Sequence, residues 1–198
     1  MKTMYLVRHA EVDNPNKIFY NGHFPLSEEG VRQAHALAQR LAEQNIRPAR
    51  ILASPYVRTR ETAEILSQEL GSEVATDERL IEWQVGSWFG KPLTEFRQAA
   101  GYNDPGPFHL KLNDVESYDA MATRVTTVMR EELAHLPEDG FGMIVGHREP
   151  LVSTILKLRG DKDWSQVPLL EMPRPPVWKL VFEGEIMVSC IPLGFSVS

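Results

Sequence analysis

Met4-Tyr5-Leu6-Val7-Arg8-His9-Ala10-Glu11 decides how the rest of the chain is read. An apolar run that breaks off in a polar cluster reads as a buried strand delivering its last residues to a cleft. The strand is expected over residues 3–7, and it delivers an arginine beside a histidine. A guanidinium binds phosphate oxygens through a rigid fork, and an imidazole can accept a phosphoryl group. The tetrapeptide is a weak signal alone. Three later segments supply what a phosphoryl-transfer site still lacks.

Ser54-Pro55-Tyr56-Val57-Arg58 follows the short apolar run Ile51-Leu52-Ala53. Serine as N-cap and proline at the first helical position predict a helix opening at Ser54, running to about Leu70 and ending at Gly71. Arg58 then sits near the positive end of the helix, where an anion is favoured, while Arg60 reads as solvated surface. Val145-Gly146-His147 places a second histidine between a strand end and a helix start. Glu82 ends a short strand expected at Leu80-Ile81. A carboxyl beside a phosphate pocket is useful mainly as an acid, its pKa raised by desolvation.

Outward from these segments, apolar runs alternate with amphipathic stretches. Helices are expected from Ser27, over Ser117 to Leu136, and over Pro150 to Leu158. Strands are expected over Arg50–Ala53 and Phe141–Val145, and Trp178–Phe182 and Ile186–Cys190 read as a C-terminal hairpin. This pattern predicts an α/β three-layer sandwich, a largely parallel central sheet with helices on both faces. His9, Ser54 and His147 would share the carboxyl ends of its strands, where ligands of such sheets collect. The 198 residues read as a single domain, with a variable, substrate-covering segment at about 83–115. The aromatics there, Trp83, Trp88, Phe89, Phe96, Tyr102 and Phe108, suggest a partly apolar pocket for the body of a substrate.

Composition is that of an ordinary globular protein, 42% hydrophobic and 24% charged. A net charge of -6 with no basic stripe argues against a nucleic-acid binder. No stretch approaches a membrane span, and the apolar run after Lys2 breaks at Arg8 before it could act as a signal sequence. The one cysteine, Cys190, excludes an internal disulfide framework, so a soluble cytoplasmic protein is expected. His23, His35, His109 and His135 form no metal-ligand motif, and neither metal nor cofactor is expected.

These residues bring the chain into line with a family: it resembles the histidine phosphatase superfamily, in its phosphoglycerate-mutase-like branch. The family's Arg-His-Gly/Ala-Glu is matched by residues 8–11. Its Pro-Leu-Thr/Ser-x-x-Gly-x-x-Gln-Ala is matched by Pro25 through Ala34, and its Ser-x-x-x-Arg-x-x-x-Thr-Ala by Ser54 through Ala63. Glu116-Ser117-Tyr118-Asp119, with Arg124 and Val125 following, matches a family helix opening, and His147 matches the second family histidine. The resemblance covers about residues 4 to 160, and the stretch from Trp164, with Met172-Pro173-Arg174-Pro175-Pro176, matches less clearly. It implies His9 as the nucleophile that becomes a phosphohistidine. Arg8, Arg58 and His147 are then the phosphate pocket, and Glu82 the proton donor that later activates water.

Two departures stand out. Pro15 replaces an asparagine that contacts phosphate in many relatives, leaving Asn14 or Asn16 as substitutes. After the acid the chain reads Trp83-Gln84-Val85-Gly86, where the mutases continue Arg-x-Tyr-Gly, and Phe89 stands where many relatives have glutamate. Cations in 83–115 are limited to Lys91, Arg97 and Lys111, plus His109. The expectation is therefore a metal-free phosphomonoesterase acting on a small phosphorylated metabolite or phosphoprotein. A mutase is the rival within the enzyme class, and a catalytically silent binding module the rival outside it.

Overall fold

The structure, a computed structural model, describes residues 1–19, 22–101, 112–161, 163–167 and 177–193. Tyr102, Phe108, His109, Lys111 and the segment 172–176 lie outside the described residues. Six strands, β1 (Lys2–Arg8), β2 (Arg50–Ala53), β3 (Glu73–Thr76), β4 (Phe141–Gly146), β5 (Val177–Glu183) and β6 (Ile186–Leu193), form one sheet in the order β3-β2-β4-β1-β5-β6. The four strands from β3 to β1 are parallel, and β5 and β6 are antiparallel additions. Among the described residues five α-helices accompany them: α1 (Glu28–Glu43), α2 (Val57–Leu70), α3 (Leu93–Ala100), α4 (Tyr118–His135) and α5 (Arg148–Leu158). None of the described helices is long and apolar enough to cross a membrane.

Strand periodicity explains the layering. Successive side chains alternate faces, so a strand apolar at every position must be covered on both sides. In β1, Met4 and Leu6 join Leu52, Ile144 and Leu180 in a core that includes Met121, Val125 and Val128 of α4 and Leu151 and Ile155 of α5. Tyr5 and Val7 face the other way, with Ile51, Met143 and Val145, against Leu37 and Leu41 of α1 and Ala63 and Leu66 of α2.

Local chemistry sets the helix ends. Ser27 caps α1 by accepting from the Gly30 N–H at 3.0 Å. Gly30 itself is required by a close approach, since a Cβ there would meet the Glu11 carbonyl oxygen at 2.0 Å. The first turn of α1 thereby presses on the loop that follows β1. Ser117 caps α4 in the same way through the Ala120 N–H. Gly71 closes α2 at φ 70°, a left-handed conformation suited to glycine.

Three expectations need correction. Ser54 does not cap α2: the helix opens at Val57, whose N–H is taken by the Gly22 carbonyl at 2.8 Å. Leu80-Ile81 is not a strand, because Asp77 caps a 3-10 turn over Glu78–Leu80 that sinks Leu80 into the core. The strand lies earlier, in β3, a half-exposed edge strand whose one large aliphatic residue, Val74, leaves no apolar run to read. Two of the aromatics expected to line an apolar pocket, Trp83 and Phe96, belong to the core instead. Trp83 and Phe96 are buried and pack edge to face, 5.2 Å between ring centroids, with Phe19 4.6 Å from Phe96 and Tyr118 5.0 Å from Trp83. Such ring pairs are a strong source of core packing, which is what draws them inward.

Candidate active site

The sheet order brings the site together. β4 lies between β1 and β2, with Arg8 opposite Gly146 and Ala53 opposite Val145. The next residue of each chain segment, His9, Ser54 and His147, is therefore delivered to one edge of the sheet. Backbone bonds fix that edge: His9 N–H donates to the Gly146 carbonyl at 2.9 Å, and Ser54 N–H to the Val145 carbonyl at 3.1 Å.

His9 is buried, and its Nδ1 lies 2.7 Å from the Ala10 carbonyl oxygen, which can only accept. Nδ1 therefore carries the proton, and the lone pair is on Nε2. Thr62 of α2 holds the adjoining peptide, accepting from the Ala10 N–H at 3.1 Å and donating to the Arg58 carbonyl at 2.7 Å. Thr62 does not stand out in the sequence as a site group, and Ser54, though expected at this end of the sheet, reads there as a cap rather than as a partner of His147.

Arg58, fully buried, comes from the first turn of α2. Its Nε–H points at His9 Nε2 from 3.3 Å, and its Nη2 lies 3.2 Å from His147 Nδ1. Because the guanidinium can only donate, His147 Nδ1 accepts, and its Nε2–H donates to Ser54 Oγ at 2.9 Å. Burial and the nearby Arg58 charge hold His147 well below the usual histidine range, so it is neutral. The Tyr56 ring packs on both, 5.3 Å from the His147 ring and 5.0 Å from the guanidinium carbon of Arg58.

Glu82 reaches the same point from the loop after the 3-10 turn. Its Oε1 accepts the Trp83 N–H at 2.9 Å, while Oε2 lies 3.5 Å from His147 Nδ1 and 3.8 Å from Arg58 Nη2. Burial, with the Glu149 carboxylate adding to it against the pull of Arg58, pushes Glu82 up to about 7. Arg8 stands at the end of β1, half-buried, close enough for its charge to act on both Glu82 and His147. Thus Arg8, His9, Arg58, Glu82 and His147 are brought together. Arg60 is exposed. Asn14 is spent locally, both ends of its amide bonded to the Ile18 backbone, and Asn16 is exposed.

His9, Glu82 and His147 place one donor atom each within 4.8 Å of one another, a spacing a metal ion could use. The imidazole lone pairs, however, face the N–H groups of Arg58, so a cation placed there meets a guanidinium charge. The donor set suits an anion instead.

Buried Arg58 beside a lone-pair imidazole on one side and a raised carboxyl on the other is the constellation of a phosphoryl-transfer enzyme. The sequence agrees: residues 4–185 match the Histidine phosphatase superfamily (branch 1), and the chain belongs to that family. It is 30% identical over 167 residues to a probable phosphoglycerate mutase GpmB of Yersinia pestis (strain Pestoides F), a match spanning 80% of this chain and 76% of that protein. The fold is similar to that of YhfR from Bacillus stearothermophilus, at TM-score 0.82 and 24% identity over 94% of both chains. It is also similar to a mycobacterial glucosyl-3-phosphoglycerate phosphatase, at TM-score 0.78 and 23% identity over 96% of both.

Proposed function

We propose that the protein is a phosphomonoesterase that transfers the phosphoryl group of a small ester to Nε2 of His9 and then to water. The observation that carries this reading is the pair of bonds on His9, Nδ1–H to a carbonyl and Nε2 facing the anion site. In the first step the Nε2–P bond forms as the ester P–O bond breaks, and Glu82 Oε2 delivers its proton to the departing alkoxide. Arg8 and Arg58 hold the phosphoryl oxygens, and His147 completes the pocket. In the second step Glu82, now ionised, takes a proton from water as water attacks phosphorus and His9 is released. No step calls for a metal. The lone thiol Cys190 is compatible with a reducing cytoplasm.

The family relative named as a probable mutase favours a second reading, return of the phosphoryl group to a bound sugar acid. A mutase must retain a doubly phosphorylated intermediate, which calls for extra cations and exclusion of water. After Glu82 this chain offers the buried ring of Trp83, Lys91 lies over the Trp88 ring at 4.6 Å, and Arg97 is exposed. Supplying 3-phosphoglycerate with catalytic 2,3-bisphosphoglycerate and following both products tests the choice. Phosphate release is expected, and 2-phosphoglycerate formation outpacing release from every ester tried would reverse it.

A further inference from the structure

Glu82 is held by backbone contacts that converge on one side chain outside the site. The Arg124 guanidinium, from α4, donates through Nη1 to the carbonyls of Arg79 and Ile81, each at 2.7 Å, and through Nη2 to the carbonyl of Glu82 at 3.2 Å. Three peptides of the segment that ends in the acid are thus tied to one planar group. Arg124 is fixed in turn by Glu116, whose Oε1 accepts from Nε at 2.7 Å and whose Oε2 accepts from Nη2 at 2.9 Å. Glu116 also grips the far side of Glu82. Its backbone N–H donates to the Gln84 carbonyl at 2.8 Å, its carboxylate takes the Gln84 N–H, and its carbonyl takes the Trp83 indole N–H at 2.7 Å. Arg79 adds an outer tie, reaching both Asp77 and Glu131.

From this we infer that the Arg124–Glu116 pair is a positioning device that sets where Glu82 presents Oε2. The inference rests on the reading of Glu82 as the proton donor. Between the end of β3 at Thr76 and the isolated bridge of Pro92 with Ile18, the segment carrying Glu82 joins no strand, so its path depends on these side-chain anchors. Arginine suits the task because a rigid, multi-donor fork can serve three carbonyls and a carboxylate at once, which the single ammonium of lysine cannot. Displacing an acid by about 1 Å can cost on the order of 10²-fold in rate. The His9 pocket hangs from strand ends and α2, and the one influence of Arg124 on it, its charge acting on His147, is kept by lysine, so binding and attack should survive Arg124→Lys.

The test compares Arg124→Lys and Glu116→Gln with Glu82→Gln on alkyl and aryl phosphates, the latter needing little acid help. Arg124→Lys should lower kcat for alkyl esters by roughly 10- to 100-fold while changing aryl turnover and vanadate affinity little. Glu116→Gln, which leaves Arg124 in place but loosens it, should show the same signature more weakly. In a Glu82→Gln background, Arg124→Lys should add almost nothing, as expected when one residue acts through another. If Glu82→Gln itself depresses alkyl and aryl turnover equally, the reading of Glu82 as acid fails and the inference falls with it. If Glu82→Gln does discriminate, but folded Arg124→Lys and Glu116→Gln lower both ester classes alike, or their effect persists without Glu82, positioning alone is overturned.

Discussion

Arg58 Nε–H occupies the lone-pair side of His9 Nε2, 3.3 Å away, in a pocket where both side chains are buried. The atom proposed as nucleophile is thus already paired with the cation proposed to stabilise the group it attacks. A bound oxyanion replaces a weak contact between an arginine and a neutral ring with charge-assisted bonds, a change that favours binding.

Removing His9 tests the nucleophile. His9→Ala should reduce turnover by more than about 10³-fold, in line with deletion of a covalent nucleophile. Enzyme quenched during turnover should carry an acid-labile, base-stable phosphoryl group on His9, detectable by mass spectrometry. Near-normal turnover by a folded His9→Ala protein would refute the mechanism.

The two arginines of α2 separate pocket from surface. Vanadate should inhibit competitively and raise Tm, because it binds only the folded site. Arg58→Ala should abolish most of that Tm shift, while Arg60→Ala, altering an exposed side chain, should leave it intact. A larger effect at Arg60 would overturn the anion-site assignment.

Glu82 predicts a leaving-group dependence. Glu82→Gln should cost alkyl phosphates roughly 10²- to 10⁴-fold in kcat and aryl phosphates much less. The measurement is a plot of rate against leaving-group pKa, which should be steeper for the variant.

The raised pKa of Glu82 predicts a pH dependence. The protonated form needed in the first step prevails below about 7, so alkyl ester turnover should decline as pH rises through that value. Glu149→Gln removes one of the influences that raise Glu82 and should move this alkaline limb to lower pH. Stability follows the same sign. With the folded pKa above its ordinary 4.5, the proton's stabilising contribution is complete below 4.5 and is lost as pH rises through about 7. Glu82→Gln should therefore raise Tm relative to the parent in alkaline buffer and leave it unchanged in acidic buffer.

A chelator tests the metal-free reading. Activity should persist after prolonged dialysis against EDTA, and added zinc should not raise it. Loss of activity restored by one divalent ion would assign His9, Glu82 and His147 to a metal instead.

The sheet and its site were legible where single residues speak for themselves. Apolar runs that end in Arg8-His9, Ser54 and Gly146-His147 mark strand ends whatever the topology, so these residues could be placed before the strand order was known. The errors came where a residue's meaning depends on its neighbours in space. Ser54 has the chemistry of a cap but is engaged by His147, and α2 takes its first backbone acceptor from Gly22 instead. Trp83 and Phe96 look like a ligand surface in one dimension, yet edge-to-face contacts with Phe19 and a tilted contact with Tyr118 help bury them. Arg124 was legible as part of a matched helix opening, but not as an anchor of the acid. Its value lies in backbone carbonyls more than forty residues away, which carry no sequence signal.

The position of β4 between β1 and β2 has a kinetic corollary. His9 and Ser54 belong to strands that never pair with each other, and their separation is bridged only when a strand more than eighty residues further along the chain inserts between them. Closing loops of that length comes late and slowly in folding. The anion pocket is therefore absent from any nascent or partly folded chain that lacks β4. An oxyanion bound at the proposed pocket would act as a latch on the finished sheet, retarding its opening and leaving its rate of assembly unchanged.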